Sequence, residues 1–181
     1  PYQAPAPASA PGVCAVVVED LDARRYRLQT FPGAAEAADA GAFVTHHDGC
    51  GRCSTLQDFV VYERDRDLGR PVKKCGTDTW GRGFGPLVTC LEGLGFSRPC
   101  AQVWAWNTLH TAGACFEPCV LGGDTPYNLD GGALNPCLQC DEVKSGPHFK
   151  ALAGRTRRNT GLASSICRPC GEVQPVAHDY P

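Results

Sequence analysis

The hydrophobic positions in the first third of the chain are typical of β-strands. Val13–Glu19 is an almost continuous apolar run and predicts a buried strand, while Arg25–Phe31 alternates apolar and polar residues and predicts a second strand. The alanine-rich residues 33–40 predict a short helix, and Ala42–His46 predicts a third strand. We therefore expect a small sheet near the N-terminus.

The pattern changes to helical spacing after residue 54. Ser54 and Gln57 have the spacing of a capping box, so we expect the Ser54 hydroxyl to cap a helix that begins at Thr55. Gly69-Arg-Pro71 predicts a break in the chain, and residues 76–86 predict a glycine-rich loop.

Further helices are predicted over residues 86–94, after Ser97 with Pro99 in the first turn, and over residues 147–159. Residues 115–136 are rich in Gly, Pro and Asn and predict a loop. The chain is thus predicted to be α+β, with a small N-terminal β-sheet, several short helices and long loops, stapled by multiple disulfides.

Composition supports one folded unit. The 181 residues are 43% hydrophobic and 20% charged, which excludes a disordered chain and a coiled coil. We expect residues 1–12, rich in Pro and Ala, to form an extended arm and residues 13–181 to form a single cysteine-rich domain. Because the chain begins at Pro1 and contains no methionine, we expect a processed N-terminus from which a signal or transit peptide was removed.

Charge and hydropathy narrow the classes of partner. The formal net charge of −2 gives no electrostatic basis for binding nucleic acid or an anionic membrane. The sequence has no apolar run of about 18 residues, so no transmembrane segment is expected. A protein or small-molecule partner is expected, and the sequence does not identify it.

The cysteines give the strongest statement about cellular location. Twelve cysteines, an even number, are spread along the whole chain, which is typical of a disulfide framework in a secreted protein or an oxidising organelle lumen. Each bridge stabilises by about 2–4 kcal/mol. A bridge inside a CxxC motif closes a tight ring, so we expect most CxxC cysteines to bond outside their own motif. The disulfide cysteines predicted are Cys14, Cys50, Cys53, Cys75, Cys90, Cys100, Cys115, Cys119, Cys137, Cys140, Cys167 and Cys170.

A local motif at residues 46–53, HHDGCGRC, raises an alternative. A strand, then a CxxC motif, then a helix resembles the local order of thioredoxin-like oxidoreductases. That resemblance implies a thiol–disulfide oxidoreductase with Cys50 and Cys53 as the catalytic pair. The favoured interpretation is that each of these cysteines bonds to a different distant partner.

The same turn is where we predict an active or ligand site, if the protein has one. Glycines in the turn allow close backbone approach. His47 could accept a proton, Asp48 supplies a carboxylate and Arg52 supplies a fixed cation for binding. The alternative is a structural turn whose charged groups face water.

A second alternative is a zinc site. Two CxxC motifs, Cys137–Cys140 and Cys167–Cys170, are separated by 26 residues, a separation that tetrahedral thiolate ligation of zinc can use. Zinc is therefore possible, but disulfides are favoured for these four residues and no cofactor is favoured overall.

Aromatic and basic residues give weaker predictions. Trp80 and Trp106 are candidate ligand-stacking residues. Trp104 and Trp106 diverge by about 200° on a helix, so one should be buried and the other partly exposed. The basic run from Arg155 to Arg158 is interpreted as a charge patch at a helix end.

No Ser-His-Asp motif, phosphate loop, HExxH motif or dinucleotide fingerprint is present in the sequence. Catalysis therefore stays open. The sequence predicts a disulfide-stabilised protein, secreted or in an organelle lumen, with a binding or structural role.

Overall fold

The computed structural model describes residues 2–123 and 125–181. Its first elements form a three-stranded antiparallel sheet. Strand β1 (Val13–Asp20) lies between β2 (Arg25–Phe31) and β3 (Phe43–His47). All three predicted strands are confirmed, and with the helices described below the chain has the expected disulfide-stapled α+β fold.

The sheet carries its own small core. β1 is central, so its first four residues, from Val13 to Val16, are fully buried. Val16 pairs with Leu28 of β2 on one side and with Phe43 of β3 on the other. Helix α1 (Ala34–Asp39) connects the outer strands, and its small alanines let it pack closely on the sheet.

The remaining elements of the chain are helices and helical turns. The helices are α2 (Leu56–Arg64), α3 (Gly69–Asp78), α4 (Phe84–Gly93), α5 (Arg98–Ala114), α6 (Pro136–Lys144), α7 (Gly146–Ala153) and α8 (Arg157–Thr160), with a π-helical turn at Glu117–Leu121 and a 3-10 turn at Cys170–Glu172. The 17-residue α5 is central and packs against α3, α4, α6 and α7. Leu87, Leu91 and Phe96 belong to the main hydrophobic core, which surrounds this helix.

Helix caps confirm one prediction and correct another. Ser97 caps α5 and Pro99 lies in its first turn, as expected. At α2 the cap is Thr55, whose side chain accepts a hydrogen bond from the Asp58 N–H, and the prediction of a Ser54 cap is wrong. The Ser54 hydroxyl faces the buried ring of His46 instead, and this contact removes it from the helix end.

The structure also differs from the sequence prediction at three places where the chain was expected to break, to loop or to continue as a helix. The stretch from Gly69 to Pro71 begins α3 rather than ending a helix, because a proline in the first turn lacks only an N–H that needs no partner there. The predicted glycine-rich loop therefore shrinks to residues 79–83. The helix predicted over residues 147–159 is divided at Gly154, whose φ of 71° lies in the left-handed region.

Five disulfides connect these elements. The pairs are Cys14–Cys50, Cys53–Cys100, Cys75–Cys90, Cys115–Cys140 and Cys119–Cys137. Every bonded CxxC cysteine has its partner outside its own motif, as predicted. The prediction that all twelve cysteines are bonded is wrong for Cys167 and Cys170, which are exposed thiols. Five disulfides in a small chain are typical of an oxidising compartment.

The N-terminal residues lie against helices α5 and α7. The Tyr2 ring stacks on His110 with centroids 4.0 Å apart, and its hydroxyl donates to Asn107. His148 Nε2 donates to the Ala4 carbonyl oxygen at 2.7 Å. The division into an arm and one domain stays a prediction, and Pro1 is outside the described residues. Within the described part of the chain, no helix is long and apolar enough to cross a membrane.

Candidate functional site

The glycine-rich turn after β3 is packed tightly against the end of α7. The N–H groups of Arg52 and Cys53 donate to the carbonyl oxygens of Leu152 and Ala153, both at 2.9 Å. A Cβ on Gly51 would lie 2.5 Å from the backbone nitrogen of Gly154. The glycine at 51 therefore serves a close contact between two backbone segments.

The two cysteines of this turn bond in different directions. Cys50 is bonded to Cys14 of β1, and Cys53 is fully buried and bonded to Cys100 of α5. The resemblance to thioredoxin-like proteins implied a pair that opens and closes as a unit. The structure brings no such pair to this turn, and the favoured interpretation, bonds to distant partners, is confirmed.

The polar residues predicted for a site at the turn do not converge. His47 Nε2 lies 3.4 Å from the Pro175 carbonyl oxygen, and the Asp48 carboxylate accepts from Asn159 Nδ2 at 3.1 Å. Arg52 is exposed. None of the three lines the large cavity described below. A functional role for them stays a prediction without a shared site.

A serine and a histidine do meet beneath the turn. His46 Nδ1 donates to the His47 carbonyl oxygen at 2.6 Å, so the neutral ring accepts from the Ser54 hydroxyl at Nε2, 2.7 Å away. Burial, and then the neighbouring Arg155 cation, lower the pKa of His46 to about 3. Both side chains have no solvent exposure, so no substrate reaches this pair.

Arg155 lies buried beneath the same turn and forms hydrogen bonds with it. The prediction that it belongs to a charge patch at a helix end is wrong for Arg155, because this residue is completely buried. Its guanidinium donates to the carbonyl oxygens of Thr45, Cys53 and Ser54 at 3.0–3.1 Å and to the Thr45 hydroxyl at 2.6 Å. Burial lowers the pKa of Arg155 to about 10, so it stays a cation near neutral pH. The turn is therefore a structural joint between β3, α2 and α7.

A cavity of about 630 Å³ lies on another side of the molecule. Its walls come from α2, α5, α6, α7, α8 and the segment after α8. Five basic and three acidic side chains line it, beside three aromatic rings and one thiol: Arg66, Lys150, Arg157, Arg158 and Arg168; Asp67, Asp141 and Glu142; Tyr62, Trp104 and Phe149; and Cys167.

Glu142 is the centre of an ion-pair cluster at this cavity. Its carboxylate lies 2.8 Å from Lys150 Nζ, 3.2 Å from Arg158 and 2.5 Å from Arg168. Burial alone would raise the pKa of Glu142, but the three cations lower it below its ordinary value. Arg158 also pairs with Glu172 at 2.8 Å. The cluster thus joins α6, α7, α8 and the C-terminal segment.

Asp141 lies beside this cluster but is bound by neutral donors. The Thr111 hydroxyl donates to its carboxylate at 2.5 Å, and Asn107 Nδ2 donates at 3.2 Å. Burial raises the pKa of Asp141 and outweighs these two hydrogen bonds. The two adjacent carboxylates therefore differ, because cations surround Glu142 and neutral donors bind Asp141.

Two cavity cations, Arg66 and Arg157, form no ion pair with a carboxylate within the described residues. Arg66 is exposed, whereas Arg157 is half-buried. The guanidinium of Arg157 donates to the carbonyl oxygens of Asp65 and of Ala163, the latter at 2.7 Å, and lies 5.8 Å from the centre of the Tyr62 ring. Burial lowers the pKa of Arg157. Such a cation, partly desolvated and paired only with carbonyls, favours an anionic ligand.

Two buried polar atoms lie in the same wall. The Tyr62 hydroxyl and the Trp104 indole nitrogen are both buried. Tyr62 is only 2% exposed. Burial raises the pKa of Tyr62 and a contact with the Trp104 indole opposes that rise, so the two groups face each other inside the wall and are closed to a ligand as they are to water.

The sequence did not single out this cavity. The signal for α6 was present, because Asn135 accepts from the Leu138 N–H and Pro136 follows it, the same start that identified α5. That helix places Asp141 and Glu142. Asp141, Glu142 and Arg157 line one cavity because distant parts of the chain pack together, and no local sequence pattern predicts that packing.

The predicted aromatic binding residues lie elsewhere. Trp106 is 42% exposed and packs on Phe84 with ring centroids 4.6 Å apart, and Trp80 is 60% exposed. Neither lines the cavity, whereas Trp104 does. The expected divergence of Trp104 and Trp106 is thus seen, and a binding role for Trp80 and Trp106 stays a prediction.

Of the four cysteines considered as zinc ligands, two are in disulfides and two are free thiols. Cys137 and Cys140 are bonded to Cys119 and Cys115, and Cys167 and Cys170 are thiols. Among the residues that the structure describes, no group of three or more His, Cys, Asp or Glu is arranged to hold a metal ion.

Comparison with known proteins adds one assignment. Residues 84–176 match the family described as "Family of unknown function (DUF8771)", and the chain belongs to this family. No curated protein and no solved structure matches the chain. The matched region begins at α4 and contains most of the cavity wall and both free cysteines, but neither the sheet nor the glycine-rich turn.

Proposed function

We propose that this is a secreted or organelle-lumen binding protein whose cavity takes a small organic anion with an aromatic or apolar body. One observation carries the proposal. Arg157 lines the cavity, lies 5.8 Å from the centre of the Tyr62 ring and, among the described residues, donates to backbone carbonyls and to no carboxylate. The disulfides hold the walls in place without taking part in binding.

The size and composition of the cavity support this class of ligand. A volume of about 630 Å³ is in the range of small-molecule sites, roughly 300–1,000 Å³. Five basic side chains line the cavity against three acidic ones. An anion therefore enters a region of net positive charge.

The proposed pose follows from the hydrogen-bonding character of the wall. The guanidinium of Arg157 can only donate, so the group that it receives must be rich in acceptors, as a carboxylate, sulfonate or phosphate is. The rings of Trp104 and Phe149, with centroids 4.6 Å apart, provide an aromatic surface for the apolar part.

The test uses the fluorescent aromatic sulfonate anilinonaphthalene sulfonate as the probe. We expect saturable binding that Arg157→Gln weakens about tenfold or more, the loss of one charge-assisted hydrogen-bonded contact. Trp104→Phe should weaken it and also abolish energy transfer from that indole. The uncharged probe phenylnaphthylamine should bind more weakly.

Matched controls come from the same chain. Trp106→Phe changes an indole two residues away on the same helix, and Arg52→Gln removes an exposed arginine at the glycine-rich turn. Neither should alter the affinity. Equal losses in the control variants, or equal affinity for the charged and uncharged probes, would contradict an anion site at Arg157.

A further inference from the structure

Cys167 and Cys170 differ from every other cysteine in the chain. The ten bonded cysteines link residues 15 to 47 positions apart and join separate elements. The remaining two are exposed thiols within one short motif, Cys167-Arg-Pro-Cys170. A bond between them would connect no distant parts of the fold and would contribute little to its stability.

The structure holds both ends of this motif. The Cys167 N–H donates to Asn128 Oδ1 at 2.8 Å, and Asn128 Nδ2 donates to the Cys167 carbonyl oxygen at 3.1 Å. Arg168, between the cysteines, is fixed by its ion pair with Glu142, and Cys170 begins the 3-10 turn. The motif is therefore an exposed segment on an ordered support.

We propose that Cys167 and Cys170 form a thiol–disulfide exchange site that alternates between a dithiol and an internal disulfide. The inference comes from the exposure and spacing of these two thiols and does not depend on the anion site. The proposed exchange site is thus not Cys50 and Cys53, which are bonded to distant cysteines, but the pair of free thiols.

The chemistry needs a disulfide-bearing peptide, protein or small molecule as the co-reactant. One cysteine thiolate attacks the disulfide of this partner, which forms a mixed disulfide and releases one partner thiolate. The second cysteine thiolate then displaces the other partner sulfur and closes the internal disulfide. Two electrons pass to the partner, whose two sulfurs leave as thiols and take up the two protons lost by the cysteines.

A tight ring explains why this bond should be reversible while the other five persist. Disulfides with unfavourable local geometry or open access are more readily reduced than structural ones, which in secreted proteins resist the glutathione pool. Opening the bond between residues 167 and 170 also leaves all five connections between distant elements intact. Exchange therefore does not require unfolding.

The experiment equilibrates the full, oxidised chain with buffers of graded glutathione to glutathione disulfide ratio, followed by acid quenching, alkylation and peptide mass mapping. We expect Cys167 and Cys170 to change together from two alkylatable thiols to none across the series, with the other five disulfides unchanged. Cys170→Ser and Cys167→Ser each leave one thiol without its resolving partner, and the variant that retains the attacking cysteine should accumulate one glutathione per chain. The double serine variant is the control and should take up none.

Three results would overturn the proposal. The first is that both thiols stay free in the most oxidising buffer. The second is that the pair closes and then resists every buffer that leaves the other five bonds intact, which would make it a sixth structural disulfide. The third is that wild-type chains retain glutathione as a mixed disulfide, which would show that the second cysteine does not complete the exchange.

Discussion

Arg155 and Arg157 are two residues apart, yet they lie in opposite environments. Arg155 is fully buried under the glycine-rich turn, where four hydrogen bonds reach backbone carbonyls and one hydroxyl. Arg157 is half-buried in the wall of an open cavity and donates to two carbonyls only. Arg155 therefore stabilises the fold through buried hydrogen bonds, whereas Arg157 is a cation that a ligand can reach. The residue type alone does not decide which role an arginine has.

The backbone between them explains the difference. Helix α7 ends at Gly154 in the left-handed region, and α8 begins after Thr156, which forms a capping box with Asn159. This sharp change of direction turns Arg155 toward the sheet and Arg157 toward α2. A continuous helix over residues 147–159 would not have produced the abrupt junction that separates their environments.

The largest expected effect is that of Arg155→Met. Removal of the guanidinium leaves the carbonyl oxygens of Thr45, Cys53 and Ser54 without this donor, and we expect a loss of about 3–5 kcal/mol in the free energy of unfolding. Arg157→Met should cost less than about 1.5 kcal/mol, since its head group is only half-buried and donates to two carbonyls. Guanidinium chloride unfolding of both variants, with disulfides intact, measures the difference. Similar losses in the free energy of unfolding for the two variants would contradict the different roles of Arg155 and Arg157.

A smaller effect is expected from filling the contact beside Arg155. Gly51→Ala places a Cβ 2.5 Å from Ala153 and Gly154 backbone atoms, and we expect it to cost about 1–3 kcal/mol. Gly146→Ala is the control at the cavity, where the nearest atom, the Asp141 carbonyl oxygen, is 3.4 Å away. It should change stability by less than about 1 kcal/mol. A tolerated Gly51→Ala would show that the turn can move away from α7.

The two regions should also differ in the sign of their pH response. The folded-state pKa of His46, about 3, lies below its ordinary value of 6.5, so the unfolded chain binds the extra proton between these values. The contribution of His46 is therefore present above pH 6.5 and lost as the pH falls, by up to about 1.4 kcal/mol per pH unit. His46→Asn should flatten this slope in unfolding measurements between about pH 6.5 and 5.

Asp141 provides the opposite case at the cavity. Its pKa is raised, so the folded chain holds the proton more tightly than the unfolded chain just above the ordinary value of 3.8. Protonation there favours the folded state, and Asp141→Asn should make the acid loss of stability steeper in that range. A change of the same sign in both variants would contradict the assignment of opposite roles.

Local patterns were sufficient for the elements whose signals lie within a few residues. The three strands follow from apolar runs bounded by turns, and the start of α5 follows from Ser97 and Pro99, because a capping hydroxyl and a first-turn proline act on the adjacent backbone. The expectation that most CxxC cysteines bond outside their motifs has the same kind of reason, since ring size is a local property. It is confirmed for the four that are bonded, Cys50, Cys53, Cys137 and Cys140.

What failed in the sequence interpretation depends on groups far apart in the chain. Ser54 lost its expected cap role to a contact with His46, and Arg155 was buried by acceptors about a hundred positions before it. The sequence alone determined the fold class, the disulfide-rich character and most helix starts. Only the tertiary structure decided which cysteines pair, which arginine is buried and where the cavity lies, because those outcomes depend on the desolvation and hydrogen bonding of residues that meet only after the chain has folded.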